Sequence, residues 1–259
     1  MSLDQIIDTE TFPIEDRQFR QQCKATLDQN GALVLPGFLR EGAIDDIGQE
    51  GEAKKHLAYF CTQNHNVYLL PSDPEFAVSH PRNREVVSSK GCITDDLIAP
   101  ESPLRRLYDS SVFKEFLCHV LGEQGLYPYA DPLSSINLHY AETGQELGWH
   151  FDNSSFAITL MIRPPESGGQ FEYVRDLRNA EQDNWNYEGV ADLLNGKSKP
   201  DILQADAGTL SLFRGRNSIH RVAPNMGKSD RMLVVLAYNS EPGISLDEGV
   251  RETFYGRVS

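Results

Sequence analysis

Residues 147–156, LGWHFDNSSF, decide how this chain is read. His150 and Asp152 stand two apart at the mouth of the apolar run FAITLMIR (156–163). Successive side chains of a strand point to opposite faces, so residues i and i+2 share one. An imidazole and a carboxylate placed this way can reach a single atom. Taken alone, the pair reads equally well as a metal clamp or as a polar turn in which Asp152 accepts backbone N–H bonds.

Around this stretch, short runs rich in β-branched and aromatic residues recur between Gly, Pro, Asn and Asp. They are SSINLHYAE (134–142), GGQFEYV (168–174), GTLSLFRG (208–215), SIHRVAP (218–224) and RMLVVLAYN (231–239). This is strand punctuation. The first half reads differently. Ile14, Phe19, Cys23 and Leu27 have helical spacing with Gly31 as the stop, ALVLPGFL (32–39) is a short strand, and 41–60 is a second helix. Residues 64–103 read as irregular, and 102–122 as one or two helices closed by Gly122. Residues 177–204 interrupt the strands with a helix and a lid-like insertion. The expected fold is mainly β with flanking helices, around a double-stranded β-helix (jelly-roll, cupin-like) core. Residues 1–259 form one domain on this reading: helix-rich over 1–128, jelly roll over 129–243, and a C-terminal extension over 244–259.

The net charge is −14, with 38 Asp and Glu against 24 Lys and Arg. Such a chain repels phosphate backbones, and its densest basic spot, RGR at 214–216, is too short to bind nucleic acid. No apolar run has transmembrane length, and the acidic N-terminus lacks the blocks of a signal peptide. The four cysteines are isolated, which favours reduced thiols and a cytoplasmic protein.

Two downstream features shift the reading of His150 and Asp152. His220 closes a strand-like run seventy residues on, completing a 2-His-1-carboxylate set of the kind that holds non-haem Fe(II) with open cis positions. Arg231 follows, after a turn, at the start of RMLVVLAY. Its guanidinium fork suits a carboxylate, and an arginine at the edge of a buried barrel needs an anionic partner.

These motifs, HFD followed by HRVAP…GKSDR on jelly-roll strands, resemble the Fe(II)/2-oxoglutarate-dependent oxygenases. NGALVLPGFL and SGGQFEYV resemble the opening and mid-barrel strands of that superfamily, and the likeness spans most of residues 30–243. The wider pattern DPLSSINLHY…GWHFDNSSFAITLMI…GGQFEYVRDLR is most similar to the bacterial free-amino-acid hydroxylases and halogenases of natural-product pathways. The resemblance implies that His150, Asp152 and His220 bind iron and that Arg231 holds the far carboxylate of 2-oxoglutarate, with dioxygen as the third reactant. Halogenases of the subfamily carry a small residue in place of the acidic ligand. Asp152 therefore points to hydroxylation, with desaturation or cyclisation open, of a small polar metabolite such as a free amino acid. Succinate and carbon dioxide are the co-products.

Asn137 and Tyr140, on the strand before the HxD turn, are further candidates for the co-substrate. Trp149, Asn153 and Arg84 are candidates for the substrate. His139, alternating with 138 and 140, reads as structural or exposed. The competing function is a cupin-like metal-binding protein or isomerase without dioxygen chemistry, which has no need of a fixed carboxylate clamp at Arg231.

Overall fold

A computed structural model describes residues 1–259. Alternation along the strands sorts the chain into two faces. In β11 (Arg231–Leu236), Met232, Val234 and Leu236 join the main core, whereas Arg231, Leu233 and Val235 line an internal cavity. The same split runs through β4 (Ile136–Ala141), β6 (Ala157–Arg163) and β9 (Leu210–Phe213). Ile136, Leu138, Tyr140, Ile158, Leu160, Ile162, Leu210 and Leu212 are core. His139, Ala157, Thr159, Ser211 and Phe213 line the cavity.

The remaining strands are β1 (Ala32–Leu35), β2 (Tyr59–Asn66), β3 (Glu85–Ile93), β5 (Leu147–His150), β7 (Phe171–Val174), β8 (Asp201–Leu203) and β10 (Ile219–Val222). All pairings are antiparallel, in the order β1-β9-β6-β11-β4-β3-β5-β10-β7-β8, with β2 added on β3. The sheet curls until its two halves meet. Phe213 of β9 lies 5.0 Å, centroid to centroid, from Phe171 of β7 and 4.9 Å from His220 of β10. The architecture is the double-stranded β-helix that the strand pattern implies.

The helices α1 (Leu3–Ile6), α2 (Arg17–Asn30), α3 (Glu41–Lys54), α4 (Pro103–Asp109) and α5 (Ser111–Leu121) cover the core face. α2 is capped by Asp16, whose side chain accepts from Phe19 N, and stops at Gly31 in the left-handed region (φ 71°). α3 lies against the sheet at Gly51. A Cβ there would sit 2.8 Å from Leu138 and 2.9 Å from Met232 Sδ. That close approach lets the Tyr140 hydroxyl donate to Gly51 O at 2.7 Å. α6 (Tyr187–Leu194) lies in the insertion between β7 and β8, and α7 (Glu248–Tyr255) returns against β2 and β3.

Three local expectations need correction. The helix expected over 41–60 ends at Lys54, and a short 3-10 turn leads into β2 at Tyr59. The irregular stretch expected over 64–103 contains all of β3 and the end of β2. YFCTQNHN and EVVSSKGCI are too polar to announce strands, because β2 is an outer strand with alternate residues exposed. Tyr140, expected near the co-substrate, belongs to the helix-facing side.

Tyr140→Phe is expected to leave Gly51 O without its partner in a buried setting and to lower stability by about 1–3 kcal/mol in urea unfolding. Affinity for small ligands in the cavity should be unchanged; a loss of such affinity at unchanged stability would contradict the placement.

Candidate metal centre

β10 pairs with β5 so that His220 stands directly across from His150, and the two rings lie 4.2 Å apart, centroid to centroid. Both rings are oriented by the same device. His150 Nδ1 lies 2.7 Å from Gly148 O, and His220 Nδ1 lies 3.0 Å from Ser218 O. A ring nitrogen bonded to a carbonyl must be the one that carries the proton. In the neutral ring each Nε2 is then the nitrogen with the free lone pair and turns to the interior, the arrangement metal-binding histidines use. Asp152 Oδ1 stands 3.7 Å from His150 Nε2 and 3.5 Å from His220 Nε2. The three ligand atoms lie within 4.8 Å of one another.

Asp152 lies just beyond the end of β5, and two backbone bonds carry the alternation on. Phe151 N donates to Val67 O and Asp152 N to Gly215 O. Phe151 is thereby turned out into a second apolar cluster with Tyr68 and Val67, and Asp152 inward. Space for the carboxylate comes from Gly215, where any Cβ would overlap Asp152 Oδ2. That oxygen is buried without a hydrogen-bond partner. A buried carboxylate with one orphaned oxygen and the other facing two imidazole Nε2 atoms fits a divalent cation of the borderline class.

The electrostatics agree. Burial, reinforced by the neighbouring His220, pushes His150 down to about 3 against the pull of Asp152, so its ring is neutral at neutral pH. Burial alone would raise the Asp152 carboxyl, but His220, His150 and Arg178 hold it below the usual carboxylate range. His220 moves upward, because the charge and hydrogen bond of Asp152 outweigh its burial.

The triad opens on a cavity of about 560 Å³ that Arg231 also lines. Arg231 is 6% exposed, makes no ion pair, and leaves Nε without a partner. Burial brings its guanidinium down to about 10, so it stays charged.

The other sequence candidates are placed elsewhere. Tyr140 is committed to α3. The Asn137 amide donates to Leu133 O and Ile136 O, and its oxygen accepts from Tyr255. Trp149 is on the opposite face of β5 from His150, under the Arg221 guanidinium at 4.8 Å. Asn153 is exposed at the surface. Arg84 bonds Asn195 Oδ1 and Leu194 O at the end of α6, closing the 67–84 segment onto the insertion. None of the five lines the cavity.

Three residues escaped the sequence reading. Arg178 lies 4.2 Å over the Phe151 ring, bonds Arg216 O, and brings positive charge to Asp152. His139 and Lys90 line the cavity, 3.1 Å apart at Nε2 and Nζ. For His139 the signal was present: Ile136, Leu138 and Tyr140 form the apolar set that seeks the helices, leaving 139 for the opposite face.

The family model described as HalD, Halogenase D, matches residues 16–254. No curated protein matches the chain. Among solved structures, a 2OG-Fe(II) oxygenase family oxidoreductase from Burkholderia pseudomallei is 11% identical, with a TM-score of 0.55 over 87% of this chain and 93% of that one. SnoK, a non-heme alpha ketoglutarate dependent carbocyclase from nogalamycin biosynthesis, is 13% identical, with a TM-score of 0.58 over 92% of each chain. A prolyl hydroxylase from Trichoplax adhaerens, solved with a hypoxia inducible factor peptide, is 13% identical, with a TM-score of 0.58 over 89% and 92%. At these identities the likeness is one of fold.

Two outcomes test the centre. Gly215→Ala should displace the Asp152 carboxylate and weaken Mn(II) or Co(II) binding at least tenfold while far-UV dichroism stays native; unchanged affinity would refute the packing. Because a proton on the Asp152–His220 pair competes with the cation, metal affinity should rise with pH across the neutral range. Calorimetry in buffers of different ionisation enthalpy should show proton release, and a pH-independent affinity would argue against His220 as a ligand.

Proposed function

The chain belongs to the Halogenase D family, and from that premise we propose that it is a non-haem Fe(II)/2-oxoglutarate-dependent oxygenase hydroxylating a C–H bond of a small polar metabolite such as a free amino acid. His150, Asp152 and His220 would hold the iron, and Arg231 would take the far carboxylate of 2-oxoglutarate. Iron, with the 2-oxo acid and dioxygen bound, supplies the C–H oxidation, releasing succinate and carbon dioxide. The observation that carries the reading is Arg231: a buried, charged and unpaired guanidinium in the same cavity as the triad. A cupin-like metal protein or isomerase has no use for that charge, whose burial without an anion is costly.

The protein's own part is orientation and exclusion of water. Phe171, Phe213 and Leu233 wall the cavity with apolar surface, which strengthens the Arg231–carboxylate attraction and keeps the reacting centre dry. Strand-borne ligands restrict which C–H bond comes within reach, and small misplacements are costly in rate.

The family's description names a halogenase, and Asp152 supports hydroxylation over that outcome. Its carboxylate occupies the third corner, in space that Gly215 leaves for it. A chloride would need that corner vacant. Four free cysteines agree with a reaction run in the reducing cytoplasm.

Under anaerobic conditions, Fe(II) followed by 2-oxoglutarate should give a weak visible charge-transfer band. Asp152→Ala should abolish it, and Arg231→Met should weaken 2-oxoglutarate binding roughly ten- to a hundredfold. The absence of a band at saturation would move the cupin-like alternative forward, and a chlorinated product in the presence of chloride would overturn the assignment of outcome. Arg231→Met should also leave the ligand-free protein as stable as the parent or more so, since it removes an uncompensated buried cation, while abolishing the rise in Tm that 2-oxoglutarate gives the parent.

A further inference from the structure

Arg231 is not the only uncompensated cation inside the barrel. Lys90, on β3, lines the same cavity, and its ammonium reaches no carboxylate. The thiols nearest its charge, Cys61 and Cys92, are kept protonated by burial. Acids are not scarce in this chain, with 38 against 24 basic residues. Asp152, Glu166 and Asp206 line the same cavity, yet none of them pairs with either cation, and two cations facing one cavity without an ion-pair partner mark a place built for an anion.

His139 stands between them. β4 pairs with β11 so that His139 is across from Leu233, and with β3 so that it is across from Cys92. Arg231 and Lys90 each lie two residues from those partners, on the same face as His139. Cross-strand diagonals of this kind put side chains within about 7–8 Å of each other at the backbone and closer at their tips. The Lys90 Nζ to His139 Nε2 distance is 3.1 Å. Burial lowers the Lys90 amine from its ordinary value, and as an ammonium it has donors and no acceptor, so Nε2 accepts and the ring proton sits on Nδ1. Burial, Lys90 and Arg231 all hold His139 well below its ordinary value, so the ring stays neutral in this one tautomer. Its Nδ1–H has no partner within the protein.

We propose that His139, locked by Lys90 as its Nδ1–H tautomer, is the second arm of the clamp that begins with Arg231, donating to the far carboxylate of the 2-oxo acid. This rests on the co-substrate reading above and adds two residues to it. His139 is a binding residue, and Lys90 is a positioning residue that also contributes charge. A merely packed histidine would not need a lysine to fix its tautomer, nor leave its remaining donor facing a cavity that holds a free guanidinium.

The test is calorimetry on the full chain loaded with Mn(II), anaerobically, with two titrants. 2-Oxoglutarate carries the far carboxylate, and 2-oxobutyrate has the same 2-oxo acid head without it. The native protein should prefer 2-oxoglutarate strongly. His139→Leu should weaken 2-oxoglutarate roughly tenfold or more and leave 2-oxobutyrate unchanged. His139→Asn, whose amide N–H stands where Nδ1–H stood, should recover most of the loss. Lys90→Met should fall between, and Lys90→Arg nearer the native value. Equal weakening of both titrants, no weakening of either, or a His139→Asn variant as poor as His139→Leu would overturn the inference while leaving Arg231 and the co-substrate in place. A native protein that binds both acids alike, or neither, would instead remove the co-substrate reading and this inference with it. Thermal midpoints of the apoproteins check that each variant is folded, and the Asn and Arg variants carry the test if His139→Leu is not.

Discussion

Antiparallel pairing of β10 with β5 places His220 across from His150, and the rest of the site depends on that register. A slip of β10 by one residue would send His220 to the outer face, where Trp149 and Arg221 now pack. The ladder shifts between His220 and Val222, so the irregularity falls after the ligand and leaves the histidine pair in step. Each ring is then tethered to a carbonyl two residues earlier in its own chain segment, which makes the direction of Nε2 a property of the strand rather than of a loop. Asp152, the one ligand outside a strand, is held by the 214–218 turn through Gly215 O, and Arg178 ties the same turn down at Arg216 O.

Basic side chains are partnered outside this protein and left unpaired inside it. Outside, acids dominate and most basic side chains are paired with them, as in Arg221 with Glu172, Arg214 with Asp28 and Arg163 with Glu52. Inside, Arg231 and Lys90 face the cavity without an ion-pair partner, although Asp152, Glu166 and Asp206 also line it. In a low-dielectric enclosure such charges act strongly on whatever enters, whereas the acidic surface offers an anion no long-range attraction. The design favours retention of a small anion over its capture. It also draws on folding stability, since buried cations are desolvated before any ligand compensates them.

Much of this was legible in the residues. The alternation of FAITLMIR and RMLVVLAYN, the HxD pair, His220 and Arg231 all follow from spacing and composition, because half-buried strands and metal corners impose strong local patterns. What was missed has physical reasons. β2 and β3 are polar, since β2 lies off the main path of the sheet and β3 shows alternate residues to solvent or cavity, so no apolar run betrays them. Tyr140 and His139 were assigned the wrong faces, because an aromatic residue that hydrogen-bonds a helix carbonyl looks, in sequence, like one that binds a ligand. Asn137, Trp149, Asn153 and Arg84 owe their roles to long-range partners in α7, β10, the surface and α6, which no local spacing encodes. Lys90 and Arg178 reach the site only through tertiary pairing.

Strand β3 occupies an unusual place in this fold. Its last residues pair with β4, Ser88 pairs with β5, and its other edge carries β2. Around the changeover, serine hydroxyls replace ladder bonds: Ser88 Oγ accepts from Gly148 N and Ser89 Oγ from Glu146 N. One short segment thus serves as the seam between the two halves of the curled sheet, and it satisfies two registers at once. The strand therefore has little room for a change of length. A single insertion between 88 and 91 would uncouple the halves, turn Lys90 out of the barrel, and break the line from Ser88 through Gly148 to the carbonyl that orients His150.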